Sequence, residues 1–128
     1  MFKMEIVFDE AKVKQNGTHS TEMLYKAVDD IMEAEGILRL DKGYYKGPGT
    51  RQDFGRFGNV IYTLSRVEWF VKHAAAWYLF ESKGQADRDE DYSYEDVIES
   101  LVKMGEWANA DNKVYDRAPA FVQLSQGV

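Results

Sequence analysis

The sequence predicts an α+β domain in which helices cover one face of a small antiparallel sheet, and separate stretches carry that expectation. At the N-terminus Phe2, Met4, Ile6 and Phe8 alternate with Lys3, Glu5, Val7 and Asp9, the period of two of a strand with one buried face. The segment ILRLDKGYYKG reads as a hairpin from Ile37 to Gly47. From Asp53 to Ser82, Phe57, Val60, Leu64, Val67, Val71, Ala74 and Tyr78 recur at spacings of three and four, which is the apolar seam of a helix.

Taken in order, Lys3 to Phe8 is the first strand, and Asp9 caps a short helix through Ala11 and Val13 that stops at Asn16-Gly17. Ser20 or Thr21 caps a second helix, lined by Leu24, Ala27, Val28, Ile31 and Ala34 and ended by Gly36. In the hairpin Asp41-Lys42-Gly43 makes the turn, with Ile37 to Leu40 and Tyr44 to Lys46 as arms and the first strand as the third member of the sheet. Gly47-Pro48-Gly49 breaks the chain before the longest of three main helices, about Asp53 to Ser82, capped by Asp53 or Thr50. A strand over Asn59 to Ser65 is the alternative there, since Val60 to Thr63 have high β-propensity; the helix is preferred because no turn residue interrupts the seam.

Lys83 and Gly84 end that helix, and Ser93-Tyr94-Glu95-Asp96 reads as a capping box for a last helix. Its inner face is Val97, Ile98, Leu101, Met104, Gly105 and Ala108, and its end lies near Asn109. Residues 1–110 are thus expected to form one domain and residues 111–128, with Pro119, an irregular tail.

A chain of 128 residues is long enough to bury a core without disulfides, and its 45% hydrophobic content is too high for a disordered protein. The absence of cysteine excludes disulfides, thiolate zinc sites and cysteine nucleophiles. The N-terminus lacks the apolar run of a signal peptide, and charges interrupt every run that could cross a bilayer, so a cytoplasmic protein without membrane contact is expected. The net charge of −6 sits entirely between Asp87 and Glu99, where seven acids meet only Arg88. That layout argues against direct nucleic-acid binding and for a protein partner with a basic surface.

Half of the ten glycines lie between Gly43 and Gly58, interleaved with Lys46, Arg51 and Arg56. Glycine backbone N–H groups and a following helix N-terminus suit an anion, so Arg51, Arg56, Lys46, Gly55 and Gly58 are the candidate ligand site, although GxxxxGK[ST] and GxGxxG are absent. Phe54-Gly55-Arg56-Phe57 echoes part of an RNA-recognition strand but lacks its leading glycine. Asp87, Asp89, Asp91 and Ser93 echo a calcium loop, yet its sixth position is Tyr92 and its twelfth Ile98. His19 and His73 have no second ligand at metal spacing, and no nucleophile motif is present, so no metal, cofactor or catalytic residue is assigned.

The stretches KQNGTHSTEMLYKAVDD, DFGRFG and EWFVK resemble small uncharacterised reading frames carried by mobile elements of Gram-positive bacteria, over most of the chain up to about Leu101. The resemblance transfers no catalytic residue and implies an accessory role in which a small protein binds or inhibits a host or element protein. The leading expectation is therefore a non-enzymatic interaction or inhibitory protein that docks its acidic segment on a basic partner surface, competing there with nucleic acid on a defence nuclease. Asp87, Asp89, Glu90, Asp91, Glu95 and Glu99 supply the charge, and Trp69, Trp77, Phe80 and Trp107 are the anchors for the partner or for a second copy in a homodimer. The alternative is a phosphate- or small-ligand-binding domain, with or without catalysis, built on the glycine loop.

Overall fold

In the computed structural model, which describes residues 1–84 and 87–107, the N-terminal alternation becomes the central strand of a five-stranded antiparallel sheet. β1 (Phe2–Phe8) buries Met4, Ile6 and Phe8 on one face and turns Lys3, Glu5 and Val7 to the other. Asp9 then caps α1 (Glu10–Asn16) by accepting from the Lys12 N–H at 3.0 Å, and α1 ends at Gly17 in the left-handed region. Ser20 caps α2 (Thr21–Ala34) through the Met23 N–H at 3.1 Å, and Leu24, Ala27, Val28 and Ile31 reach the core as expected. Ala34 stays exposed.

The hairpin forms as β2 (Leu38–Asp41) and β3 (Tyr44–Lys46), with β3 next to β1. Its turn needs glycine twice over. The first reason is conformation, since Gly43 has a φ of 71°. The second is space: the Gly43 carbonyl accepts from the Ile6 N–H at 2.8 Å. At so close an approach a Cβ on Gly43 would collide with the Ile6 backbone.

The single helix expected over Asp53 to Ser82 does not exist. It is α3 (Asp53–Leu64), α4 (Glu68–His73) and then a nine-residue strand, β4 (Ala74–Ser82), paired along the whole of β1. The seam was real as far as it went: Phe57, Val60, Leu64, Val67 and Val71 are all buried, and Asn59 to Leu64 is helical. From Ala74 the residues fit both periods, because Ala74 and Tyr78 lie four apart as on a helix while Trp77 and Leu79 alternate as in a strand. The free edge of β1 decides between them. Pairing there satisfies the β1 backbone and drops Trp77 opposite Ile6. The Trp77 ring meets Phe70 edge-on at 4.9 Å. Its Nε1–H donates to Met4 Sδ at 3.2 Å. His73 closes α4 by donating from Nδ1 to the Trp69 carbonyl at 2.8 Å. Ala74 is already extended.

The expected capping box is likewise a strand. β5 (Tyr92–Asp96) pairs with β4, and Asp96 itself caps α5 (Val97–Lys103) by accepting from the Glu99 N–H at 3.1 Å. Val97 and Leu101 are buried, but Met104 is exposed and α5 stops at Lys103. The expectations for Ala108, Asn109 and the tail 111–128 lie outside the described residues. The strand order is β2-β3-β1-β4-β5, and the helices gather over one face in a core shared by Met4, Ile6, Phe8, Tyr45 and Trp77. The other face carries no α-helix among the described residues.

Candidate partner-binding surface

Register and alternation together decide what that open face displays. One row across it reads Lys46, Lys3, Phe80, Tyr94, and the next Tyr44, Glu5, Tyr78, Asp96. At the β4–β5 end the rings of Tyr78, Phe80 and Tyr94 form a triangle. The Tyr78–Tyr94 pair meets edge to face at 87° with centroids 5.7 Å apart. Phe80 and Tyr94 stand 6.4 Å apart. Tyr94 is 70% exposed, so this is aromatic surface held rigid by its own packing.

At the other end the β4–β5 connection folds back onto the sheet. Asp87 sits on Lys3 Nζ at 2.9 Å and on Lys46, and accepts from the Tyr92 hydroxyl at 3.0 Å. Lys3 is only 7% exposed. Its ammonium lies over the Tyr92 ring, 4.5 Å from the centroid. Burial works against the charged ammonium, but Asp87 and the neighbouring tyrosines outweigh it and raise the Lys3 pKa. Hydrogen bonds from Lys46, Lys3 and Tyr92 hold the Asp87 carboxyl well below the usual carboxylate range.

The acidic segment therefore divides. Asp87 is a clamp, Asp91 pairs with Arg88 at 2.9 Å and Glu99 with Lys103 at 2.8 Å. Asp89, Glu90 and Glu95 are exposed and, among the described residues, form no ion pair. The four aromatic anchors divide too. Trp77 is fully buried and Trp69 nearly so, which makes both core residues, and Trp107 is half-buried against Trp77 at 6.2 Å. Phe80 alone of the four reaches the open face. The residues missed from the sequence are Tyr78 and Tyr94; the alternation in YSYED was the signal for Tyr94, which the capping-box reading hid, and the helical seam hid Tyr78.

The glycine loop does not bring its five residues together. Asp53 is only 2% exposed. Its carboxylate accepts from the Gly49 N–H at 2.8 Å and the Thr50 hydroxyl at 2.9 Å. The chain's own anion thus occupies the start of α3. A Cβ on Gly47 would collide with it. Arg56 turns inward to donate to the Glu35 carbonyl at 2.6 Å, Lys46 belongs to Asp87, and Arg51, Gly55 and Gly58 face solvent.

His73 is buried, with Nε2 accepting from the Asn16 amide at 2.7 Å once Nδ1–H is given to Trp69. Burial lowers its pKa; the Trp69 carbonyl opposes that shift, and Lys72, His19 and Lys12 reinforce it. Both ring nitrogens serve the α1–α4 junction. A cleft of about 700 Å³ lies between α1, the start of α2 and the hairpin turn, and His19 lines it with its Nδ1 buried and without a partner among the described residues. Lys14 and Lys42 there are balanced by Glu10 and Glu22, so the cleft favours neither sign of ligand.

In comparisons with known proteins the chain matches no family model, no curated protein and no solved structure. No helix among the described residues is long and apolar enough to cross a membrane.

Proposed function

We propose that the protein is a non-enzymatic interaction module that docks the β4–β5 end of its open sheet face on a basic surface of another protein. The observation carrying this is the triangle of Tyr78, Phe80 and Tyr94 on the open face, with Tyr94 exposed, at a strand that Asp89 and Glu90 lead into and that carries Glu95 on its other side, acids that no base among the described residues neutralises. Rigid aromatics supply a centre that can exclude water at little entropic cost, and the acids around it select a partner by sign. Where the partner surface is itself a nucleic-acid site, these carboxylates stand in for phosphates and the outcome is inhibition, the accessory role that the resemblance to mobile-element reading frames implies.

The test is capture from a lysate of the source organism, followed by binding measurements on the purified partner. Reversal of the acids in D89K/E90K/E95K abolishes capture of a basic partner, whereas Arg51→Ala leaves it intact. A partner that is acidic, or one held equally by the reversed variant, rules this function out.

A further inference from the structure

The open face ends at an edge. β5 is the last strand of the sheet, and among the described residues no strand lies beyond it. Its pairing with β4 runs from Tyr78↔Asp96 to Ser82↔Tyr92 without a register shift, so its outer side is a straight row of backbone donors and acceptors. Such an edge is a template for another strand unless something guards it. Proline and bulges are both absent from Tyr92–Asp96. What the segment does carry is charge: Asp89, Glu90 and Asp91 precede it, and Glu95 and Asp96 end it. A second copy laid on this edge would bring two segments of the same negative charge together, and their repulsion opposes that pairing.

Resting on the function proposed above, we infer that β5 accepts an extended, basic segment of the partner as a sixth strand. The chemistry of that segment follows from the pleat. Alternate side chains of an added strand fall on the open face beside Tyr92 and Tyr94, and the others fall on the side of Ser93 and Glu95. Directly opposed side chains lie about 5 Å apart, so lysines or arginines at alternate positions of the added strand all fall on the open face, within reach of the Tyr92 and Tyr94 rings. The ligand is thus a stretch of about five residues with cations at alternate positions, held by main-chain hydrogen bonds for affinity and by cation–ring contacts for register.

The experiment uses the full chain and a fluorescent peptide alternating lysine and threonine, together with the same peptide N-methylated at alternate backbone positions. N-methylation removes ladder donors and leaves the charge. The parent peptide binds, and the methylated one binds at least about tenfold more weakly, a loss of about 1.4 kcal/mol. Hydrogen exchange then slows at amides of Tyr92–Asp96 on binding, and Y94A/E95K weakens the parent peptide while Arg51→Ala does not. Equal affinity of the two peptides overturns strand addition and leaves face docking standing; failure of both peptides to bind overturns strand addition whatever the purified partner does. Protection of the β5 amides in the free chain as strong as that of β1, or sedimentation as a dimer, shows the edge already taken and overturns the inference too.

Discussion

The sheet has two edges, and they are guarded in different ways. β2 is four residues long, and its pairing to β3 slips between Arg39 and Asp41, so Leu40 is bulged out of the ladder. Leu38 and Leu40 are exposed there, yet a strand so short and kinked offers little to pair with. β5 is straight and in register and relies on acids instead. A bulge turns away every strand alike, whereas charge turns away strands by sign. The lesson is that β5 keeps the capacity to pair that β2 has lost, and restricts it to basic partners.

The comparison can be broken at several levels, beginning with the core beneath each edge. Trp77→Ala, under the β4–β5 side, costs about 3–5 kcal/mol in urea unfolding, because the fully buried indole leaves a cavity between Ile6, Phe70 and Met4. Asp53→Ala, at the start of α3 on the β3 side, costs less, about 1–3 kcal/mol, by leaving the Gly49 N–H and the Thr50 hydroxyl without their acceptor. A larger loss for Asp53→Ala than for Trp77→Ala would show that the glycine loop, and not β4, is the keystone of the fold.

At the edges themselves the effects are on association. Neutralising the guard in D89N/E90Q/E95Q leaves folding intact and makes the protein self-associate with concentration in sedimentation velocity, while Leu38→Thr and Leu40→Thr at β2 change nothing. Self-association of the wild-type chain through β2 would invert the comparison.

The smallest effect is on pH. His73 is neutral in the folded chain and its pKa is lowered from the ordinary 6.5, so below that value the unfolded chain binds the proton that the folded one refuses. Stability contributed by the neutral ring is therefore complete above about pH 6.5 and declines as the pH falls from there to the lowered native value. His73→Gln flattens that limb of the stability curve; a stability that rises on acidification through this window contradicts the neutral, doubly hydrogen-bonded ring.

Much of the first half of the chain was legible because its signals are local. The alternation of Met4, Ile6 and Phe8, the caps at Asp9 and Ser20, and the turn at Gly43 each act within a few residues. The candidate surface was only half legible. Its acids stand out in the sequence, but that Asp87 is spent on Lys3 and Lys46 depends on contacts between residues far apart in the chain. Trp69 and Trp77 look like anchors because tryptophan suits both cores and interfaces, and only burial separates the two uses.

By itself the sequence determined the α+β class, the first strand, the first two helices, the hairpin and the excess of acid over base near β5. Tertiary structure decided the state of Ala74–Ser82 and Tyr92–Asp96, the two strands that make the open face and its acidic edge. The physical reason is that both segments satisfy a local rule for helix, by apolar spacing in one and by capping chemistry in the other. Neither rule counts unpaired strand backbone: the free side of β1 turns Ala74–Ser82 into β4, with Trp77 seated in the core, and the outer side of β4 in turn makes Tyr92–Asp96 a strand.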